Sequence, residues 1–204
     1  MMISVKMSSL WGCDTEKIAK GVNEATDNII ACYQSTKRTY KMYEDVFSDA
    51  RTICNFWTGN TYIGVNKEDI VKEAFQKFFE ALMTLLLDMR QDEDNDVRES
   101  AEKLLYRGTV YRYLGHGSPS SDIIHPIYDG IYVSWSKTKT NTYIESKLYG
   151  TITRLTCEIK SPLYGIDLEA LGCSLNQERE VVFPTLKDCV VDIEYIEEEY
   201  DEQT

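Results

Sequence analysis

Hydrophobic positions in the first half of the chain recur at intervals of three and four. They run from Ile18 through Val22, Ala25, Ile29, Cys32, Tyr33, Tyr40, Tyr43 and Phe47, the spacing of one apolar face on a helix or on two successive helices. Asp14 precedes the series and can accept hydrogen bonds from the first free helical N–H groups. A second stripe comprises Ile70, Val71, Ala74, Phe75, Phe78, Leu82, Leu85, Leu86 and Met89. It follows a loop over Thr58–Val65 that carries Gly59 and Gly64. Asn66 is placed to cap this helix, with Glu68 and Asp69 in its first turn, where negative charge complements the helix dipole. The acidic loop Gln91–Asp96 ends it, and a short helix is expected over Val97–Lys103. Amphipathic helices bury such stripes, so the aromatic and methionine positions are read as core.

Beyond residue 103 the pattern changes. Leu104–Arg107, Gly130–Ser136, Tyr149–Ile159, Arg179–Phe183 and Val190–Ile196 are rich in Val, Ile, Tyr and Thr and are separated by Gly, Pro, Ser and Asn clusters, which predicts strands. A period of two is visible in Thr151-Ile152-Thr153-Arg154-Leu155-Thr156. No strand–helix–strand alternation repeats, so a doubly wound parallel sheet is not expected. The predicted class is α+β: a helical N-terminal region (1–96), then a mostly antiparallel β core (97–204) that closes on a solvated acidic tail, Glu197–Glu202. There is no internal repeat.

Composition narrows the function classes. Apolar residues make up 43% of the 204 and include 14 Tyr and 6 Phe, enough for a packed globule. The net charge of −12 argues against nucleic acid as a direct partner and against an anionic membrane surface, since both need clustered Lys and Arg. A basic protein partner is one inference from it; a merely soluble surface is the other. The six cysteines are scattered, with no Cys-x-x-Cys pair and only His116 and His125 to join them, so no zinc site is expected. The N-terminus is too polar for a signal peptide, and Phe75–Met89 is too short and polar to span a bilayer. A cytoplasmic protein with reduced thiols is the expectation.

Three short patterns carry candidate chemistry. Leu104-Leu105-Tyr106-Arg107-Gly108 places an arginine at the end of an apolar strand. Gly130-Ile131-Tyr132-Val133-Ser134-Trp135-Ser136 ends a strand in Ser-x-Ser. Gln177-Glu178-Arg179-Glu180-Val181-Val182-Phe183 leads Glu-x-Glu into an apolar strand. Each is weak by itself, because Glu-x-Glu recurs at Glu197 and Glu199 and Ser-x-Ser at Ser118 and Ser120. Gly115-His116-Gly117 lacks the Gly-Lys-Ser/Thr ending of a phosphate loop. Ser118, His125 and Asp129 lack a nucleophile elbow, and His116 and His125 are read as surface or turn histidines.

In this order the three patterns resemble the arginine–serine–glutamate class of mono-ADP-ribosyltransferases, over roughly Lys103–Ile196. That class includes clostridial binary-toxin enzymes, vertebrate ecto-transferases and phage-encoded transferases. One departure is Trp135, where the family has Thr between the serines. The helical half carries no signature of the family. The resemblance implies an ADP-ribosyltransferase β core and transfer of ADP-ribose from NAD⁺, as substrate, to arginine on a target protein. It also assigns roles. Glu180 would stabilise the oxocarbenium-like ribose and Ser134 would hold its carboxylate. Arg107 would bind an NAD⁺ phosphate through its planar fork, and Gly108 would let the backbone approach the nicotinamide amide. Ser136, Tyr143 and Lys147 would also contact the cofactor. Glu178 would orient the incoming guanidinium, on the expectation that residues two apart on a strand share a face. The loop Gly165–Gln177 would touch the target.

Arg112, in Val110-Tyr111-Arg112, competes with Arg107 for the phosphate role; Arg107 is preferred because Gly108 follows it and more chain separates it from Ser134. Small size and the absence of a secretion signal resemble phage-encoded, toxin-like enzymes that act in a host cytoplasm, with transcription or translation machinery as target. Alternatives are an NAD⁺ glycohydrolase or nucleic-acid ADP-ribosyltransferase on the same fold, for which Lys137, Lys139 and Lys147 would supply a basic patch. A non-enzymatic acidic protein that binds a basic partner is the third reading.

Overall fold

The computed structural model of the 204-residue chain describes residues 14–58, 69–115, 132–139, 152–160, 162–173, 179–184 and 189–196. These form two compact units: residues 1–105 with 167–175, and residues 106–166 with 176–204. The division falls after Leu105 and not at residue 96. The short helix expected near Val97 therefore belongs with the other helices.

The helical unit contains α1 (Thr15–Gln34), α2 (Tyr40–Trp57), α3 (Asp69–Met89) and α4 (Asn95–Leu104). The first apolar stripe is thus two helices. Asp14 caps α1 by accepting from the Glu16 and Lys17 N–H groups at 3.1 and 3.2 Å. Thr39 starts α2 by accepting from Met42 N at 3.3 Å, and Asp94 caps α4 by accepting from Asp96 N at 2.9 Å. The cap expected at Asn66 lies outside the described residues.

Ile18, Val22, Ala25, Ile29 and Cys32 are buried, as are Phe75, Phe78, Phe79, Leu82, Leu85, Leu86 and Met89. Tyr33, Tyr40 and Ile70, which share the apolar spacing, are exposed instead; they lie at the margins of their stripes. The Trp57 ring meets Phe79 edge-on at 4.9 Å and Phe75 at 5.2 Å. Two polar pairs fix the helices relative to each other. Asn28 donates to Asp49 at 2.9 Å in the α1–α2 interface, and Arg38, between α1 and α2, pairs with Asp88 of α3. The segment from Asp167, described as far as Cys173, also belongs to this unit. There Arg51 Nε donates to the Leu171 carbonyl at 2.9 Å.

The seven strands are β1 (Leu105–Tyr106), β2 (Thr109–Gly115), β3 (Val133–Ser136), β4 (Ile152–Glu158), β5 (Gly165–Asp167), β6 (Glu180–Phe183) and β7 (Val190–Ile196). They form one sheet in the order β1-β5-β6-β3-β2-β4-β7. The pairs β2/β3, β2/β4, β3/β6 and β4/β7 are antiparallel. β2 and β5 were not expected as strands. The run expected over Leu104–Arg107 is cut to two residues because α4 continues through Leu104, and Gly108 then separates it from β2. Gly165–Gln177, expected as a substrate loop, is in its described part a buried strand followed by a turn in which Leu168, Leu171 and Cys173 are buried.

Alternation sorts the sheet into two faces. Val110, Trp135, Leu155, Cys157, Val181 and Phe183 pack as one apolar cluster. Ser134, Ser136 and Glu180 alternate with these residues and point the other way. Burial, with the nearby Cys189 adding to it, pushes the Cys157 thiol up to about 12, so it stays a neutral core group. Among the described residues no helix is long and apolar enough to cross a membrane.

The core is tightest where β5 passes Phe183. A Cβ at Gly165 would fall 2.5 Å from the Phe183 ring, and Phe183 is fully buried. Gly165→Ala should therefore lower stability by about 1–3 kcal/mol through overpacking, read from the urea midpoint. Adding Phe183→Leu should recover part of the loss, which a purely conformational effect of the alanine would not allow.

Candidate functional site

The candidate site sits on three neighbouring strands inside the sheet, β6, β3 and β2, where backbone pairing on both sides limits movement. Ser136 stands directly opposite Glu180, and Ser134 opposite Val182. Ser134 and Ser136 therefore share a face with Glu180, and the Ser134 hydroxyl donates to the Glu180 carboxylate, Oε1. Glu180 is 7% exposed and Ser136 3%. A carboxylate so placed needs hydrogen bonds or countercharge, because loss of hydration penalises its ionised form.

Arg112 of β2 lies within the reach of the Glu180 charge. Its Nη1 donates to the Ser134 carbonyl at 2.6 Å, next to the point where Tyr111 of β2 pairs with Ser136 of β3. Burial holds the Arg112 guanidinium below its ordinary range, and the Glu180 carboxylate acts against that shift. Arginine starts from so high a pKa that it remains a cation at neutral pH. Its Nε has no hydrogen-bond partner among the described residues, which leaves one buried donor of the group to be satisfied.

Arg107 is elsewhere. It is exposed, with its guanidinium over the Tyr164 ring at 4.0 Å and its Nε 3.5 Å from the Leu163 carbonyl. Of the two arginines, Arg112 and not Arg107 is in contact with Ser134. Gly108 is also accounted for locally. Its φ is +155°, a Cβ there would lie 2.9 Å from the Tyr106 hydroxyl, and its carbonyl accepts from Ile159 N at 3.1 Å.

Ser136 lines the cleft, while its hydroxyl lies 3.0 Å from Thr138 Oγ1 and accepts from Thr138 N at 3.2 Å, which turns the chain at the end of β3. Trp135, the departure from the family pattern, is 2% exposed and belongs to the apolar cluster on the opposite face. Tryptophan there fills the core and leaves the two serines on the site face. Tyr143, Lys147 and Glu178 lie outside the described residues.

The expectation that Glu178 and Glu180 share a face assumed one extended strand through both. The strand begins at Glu180, and Arg179 has a left-handed backbone, φ 48°. Alternation therefore cannot be carried back past Glu180. The Arg179 carbonyl still accepts from Lys137 N at 3.1 Å, which extends the β3–β6 pairing while the chain turns.

Tyr111, Arg112, Tyr113, Ser134, Trp135, Ser136 and Glu180 line a cleft of about 180 Å³. Pockets for drug-sized ligands are roughly 300–1,000 Å³, so the described part of this one holds a ribose-sized fragment. Two features of the same face were not legible in the sequence. Tyr113 donates through its hydroxyl to the Lys139 carbonyl, and Arg154 pairs with Glu194, which also meets Lys139 at 3.3 Å. Among the described residues no group of His, Cys, Asp or Glu could hold a metal ion.

Two outcomes are expected. A left-handed backbone at a side-chain-bearing residue costs about 1–2 kcal/mol, most for β-branched residues. Arg179→Gly should therefore leave stability unchanged or raise it, while Arg179→Val should lower the urea midpoint. The Lys139 and Arg154 partners hold the Glu194 carboxyl below the ordinary carboxylate range. Their contribution is present above that range and is lost as pH falls through the depressed value. Glu194→Gln should accordingly flatten the acid limb of stability against pH and leave the alkaline limb as it is. Comparison of the chain with protein-family models, with curated proteins and with solved structures finds no match.

Proposed function

We propose that this chain is an NAD⁺-dependent mono-ADP-ribosyltransferase with an ADP-ribosyltransferase-type β core, acting on arginine side chains. The observation that carries the reading is the Ser134 hydroxyl on the Glu180 carboxylate, beside the half-buried Arg112 on the adjacent strand. This is the arrangement that the arginine–serine–glutamate resemblance calls for. A fixed carboxylate suits the chemistry. The bond from ribose C1′ to the pyridinium nitrogen breaks with its electron pair going to the nitrogen, neutral nicotinamide leaves, and positive charge develops on the sugar. Glu180, held by Ser134, stabilises that charge and accepts from the ribose 2′-hydroxyl. Arg112 provides a permanent cation for an NAD⁺ phosphate. A nitrogen of the target guanidinium then bonds to C1′ and gives up a proton, which Glu178 removes.

The arginine acceptor rests on Glu178 in the Glu-x-Glu run, and a host protein of transcription or translation as target rests on the likeness to phage-encoded enzymes. Labelled NAD⁺ and a bacterial lysate test the proposal. Wild-type protein should label a discrete protein on arginine. Glu180→Gln should reduce both transfer and NAD⁺ hydrolysis by about 10²–10³-fold, the loss typical when a group that stabilises transition-state charge is removed. Glu178→Ala should abolish transfer and spare hydrolysis, and Arg112→Leu should raise KM for NAD⁺ where Arg107→Ala does not. Adducts on bases would point to the nucleic-acid alternative. The proposal fails if wild type neither labels the lysate nor hydrolyses NAD⁺.

A further inference from the structure

Between α2 and α4 the helical unit holds a cleft of about 220 Å³. From α2 it is lined by Tyr43, Phe47 and Arg51, successive residues four apart and so on one side of the helix. From α4 it is lined by Val97 and Lys103, and Met89 of α3 and Leu171 of the turn after β5 add to the wall. Tyr43, Met89, Val97 and Leu171 are buried, which makes much of this wall apolar. Asp92, in the loop before α4, acts on the Tyr43 hydroxyl. The first lining residues of α2 and α4 therefore lie toward one end of the cleft, and Arg51 and Lys103 toward the other. Arg51 is held in place there. Its Nε donates to the Leu171 carbonyl at 2.9 Å. Gly172, with φ +91°, lets the side chain lie against the turn, since a Cβ would fall 3.2 Å from that nitrogen. Among the described residues neither Arg51 nor Lys103 has a carboxylate partner.

We infer that this cleft binds a small aromatic monocarboxylate, its ring between Tyr43, Phe47 and Met89 and its carboxylate on Arg51 and Lys103. The site lies within the helical unit and does not depend on NAD⁺ chemistry. An apolar cavity of about 150 Å³ holds a benzene ring, so 220 Å³ takes a ring with a short arm. Aromatic walls favour a ring through edge and offset contacts, and the Met89 thioether adds to them. A guanidinium fixed through Nε presents its terminal nitrogens as a planar fork that matches one carboxylate. Glu44 lines the same cleft, but it precedes Arg51 by two turns of helix, about 10.5 Å along the axis. Its charge repels an anion from that end and so sets the direction in which the acid lies. A neutral or cationic ring would leave Arg51 and Lys103 uncompensated.

The test titrates 3-phenylpropionate, its neutral amide, hexanoate and inorganic phosphate into the full chain by calorimetry. The aromatic acid should bind. The amide should bind about 10- to 100-fold more weakly, as expected when charge-assisted hydrogen bonds are lost. Hexanoate, which keeps the carboxylate without the ring, should also bind more weakly, and phosphate should neither bind nor compete. Arg51→Gln should lower affinity for the acid by about 10- to 100-fold. That change also breaks the bond to Leu171, so Lys103→Glu is the second variant. Lys103 is exposed, and its reversal should leave the urea midpoint unchanged while lowering affinity by about 5- to 10-fold at low salt. Equal binding of acid and amide overturns the inference, as do equal binding of hexanoate, binding of phosphate in place of the acid, and wild-type affinity in Lys103→Glu. Absence of binding by the acid up to about 10 mM, the weak limit for a ligand of this size, overturns it as well.

Discussion

Glu180 is a carboxylate set in the middle of a sheet with 7% of its surface exposed, and a charge in that position must be compensated or neutralised. The Ser134 hydroxyl on β3 donates to it, and the Arg112 guanidinium on β2, bonded to the Ser134 carbonyl, lies within the reach of its charge. The order of strands β6-β3-β2 is thus what makes this carboxylate tolerable. It also makes the carboxylate useful, since a charge held by neighbouring strands does not have to reorganise when another charge appears beside it.

The two faces of the sheet divide the work. On one, Trp135, Val181, Phe183 and Leu155 exclude water and hold the strands in register. On the other, the same strands present Ser134, Ser136, Tyr111 and Glu180. A one-residue slip between β3 and β6 would exchange Trp135 for a serine in the core and turn Glu180 inward. Burial of Trp135 is therefore also what fixes the serines in position. The close approach of Gly165 to the Phe183 ring presses β5 against the strand that carries Glu180. Among the described residues, the one non-glycine with a left-handed backbone is Arg179, at the entry of that strand, where the chain turns immediately before the buried carboxylate.

The helical unit is held by aromatic packing around Trp57, Phe75 and Phe79 and by the Asn28–Asp49 and Arg38–Asp88 pairs.

Periodicity by itself determined the helices, the class of the fold and the residues that make up most of its core, because the spacing of apolar positions on one element is a local property. Asp14 and the stripes from Ile18 and Ile70 were legible for that reason, as was β7; Ser134 and Glu180 were singled out by a motif resemblance and not by periodicity. Only the tertiary structure put Arg112, and not Arg107, against Ser134, since that contact depends on which strands become neighbours. It also put Trp135 in the core, fixed Tyr111 in the row with Glu180, and gave Arg179, just before Glu180, a left-handed backbone. Each of these depends on register or on a backbone angle, and both are set by packing between segments far apart in the chain.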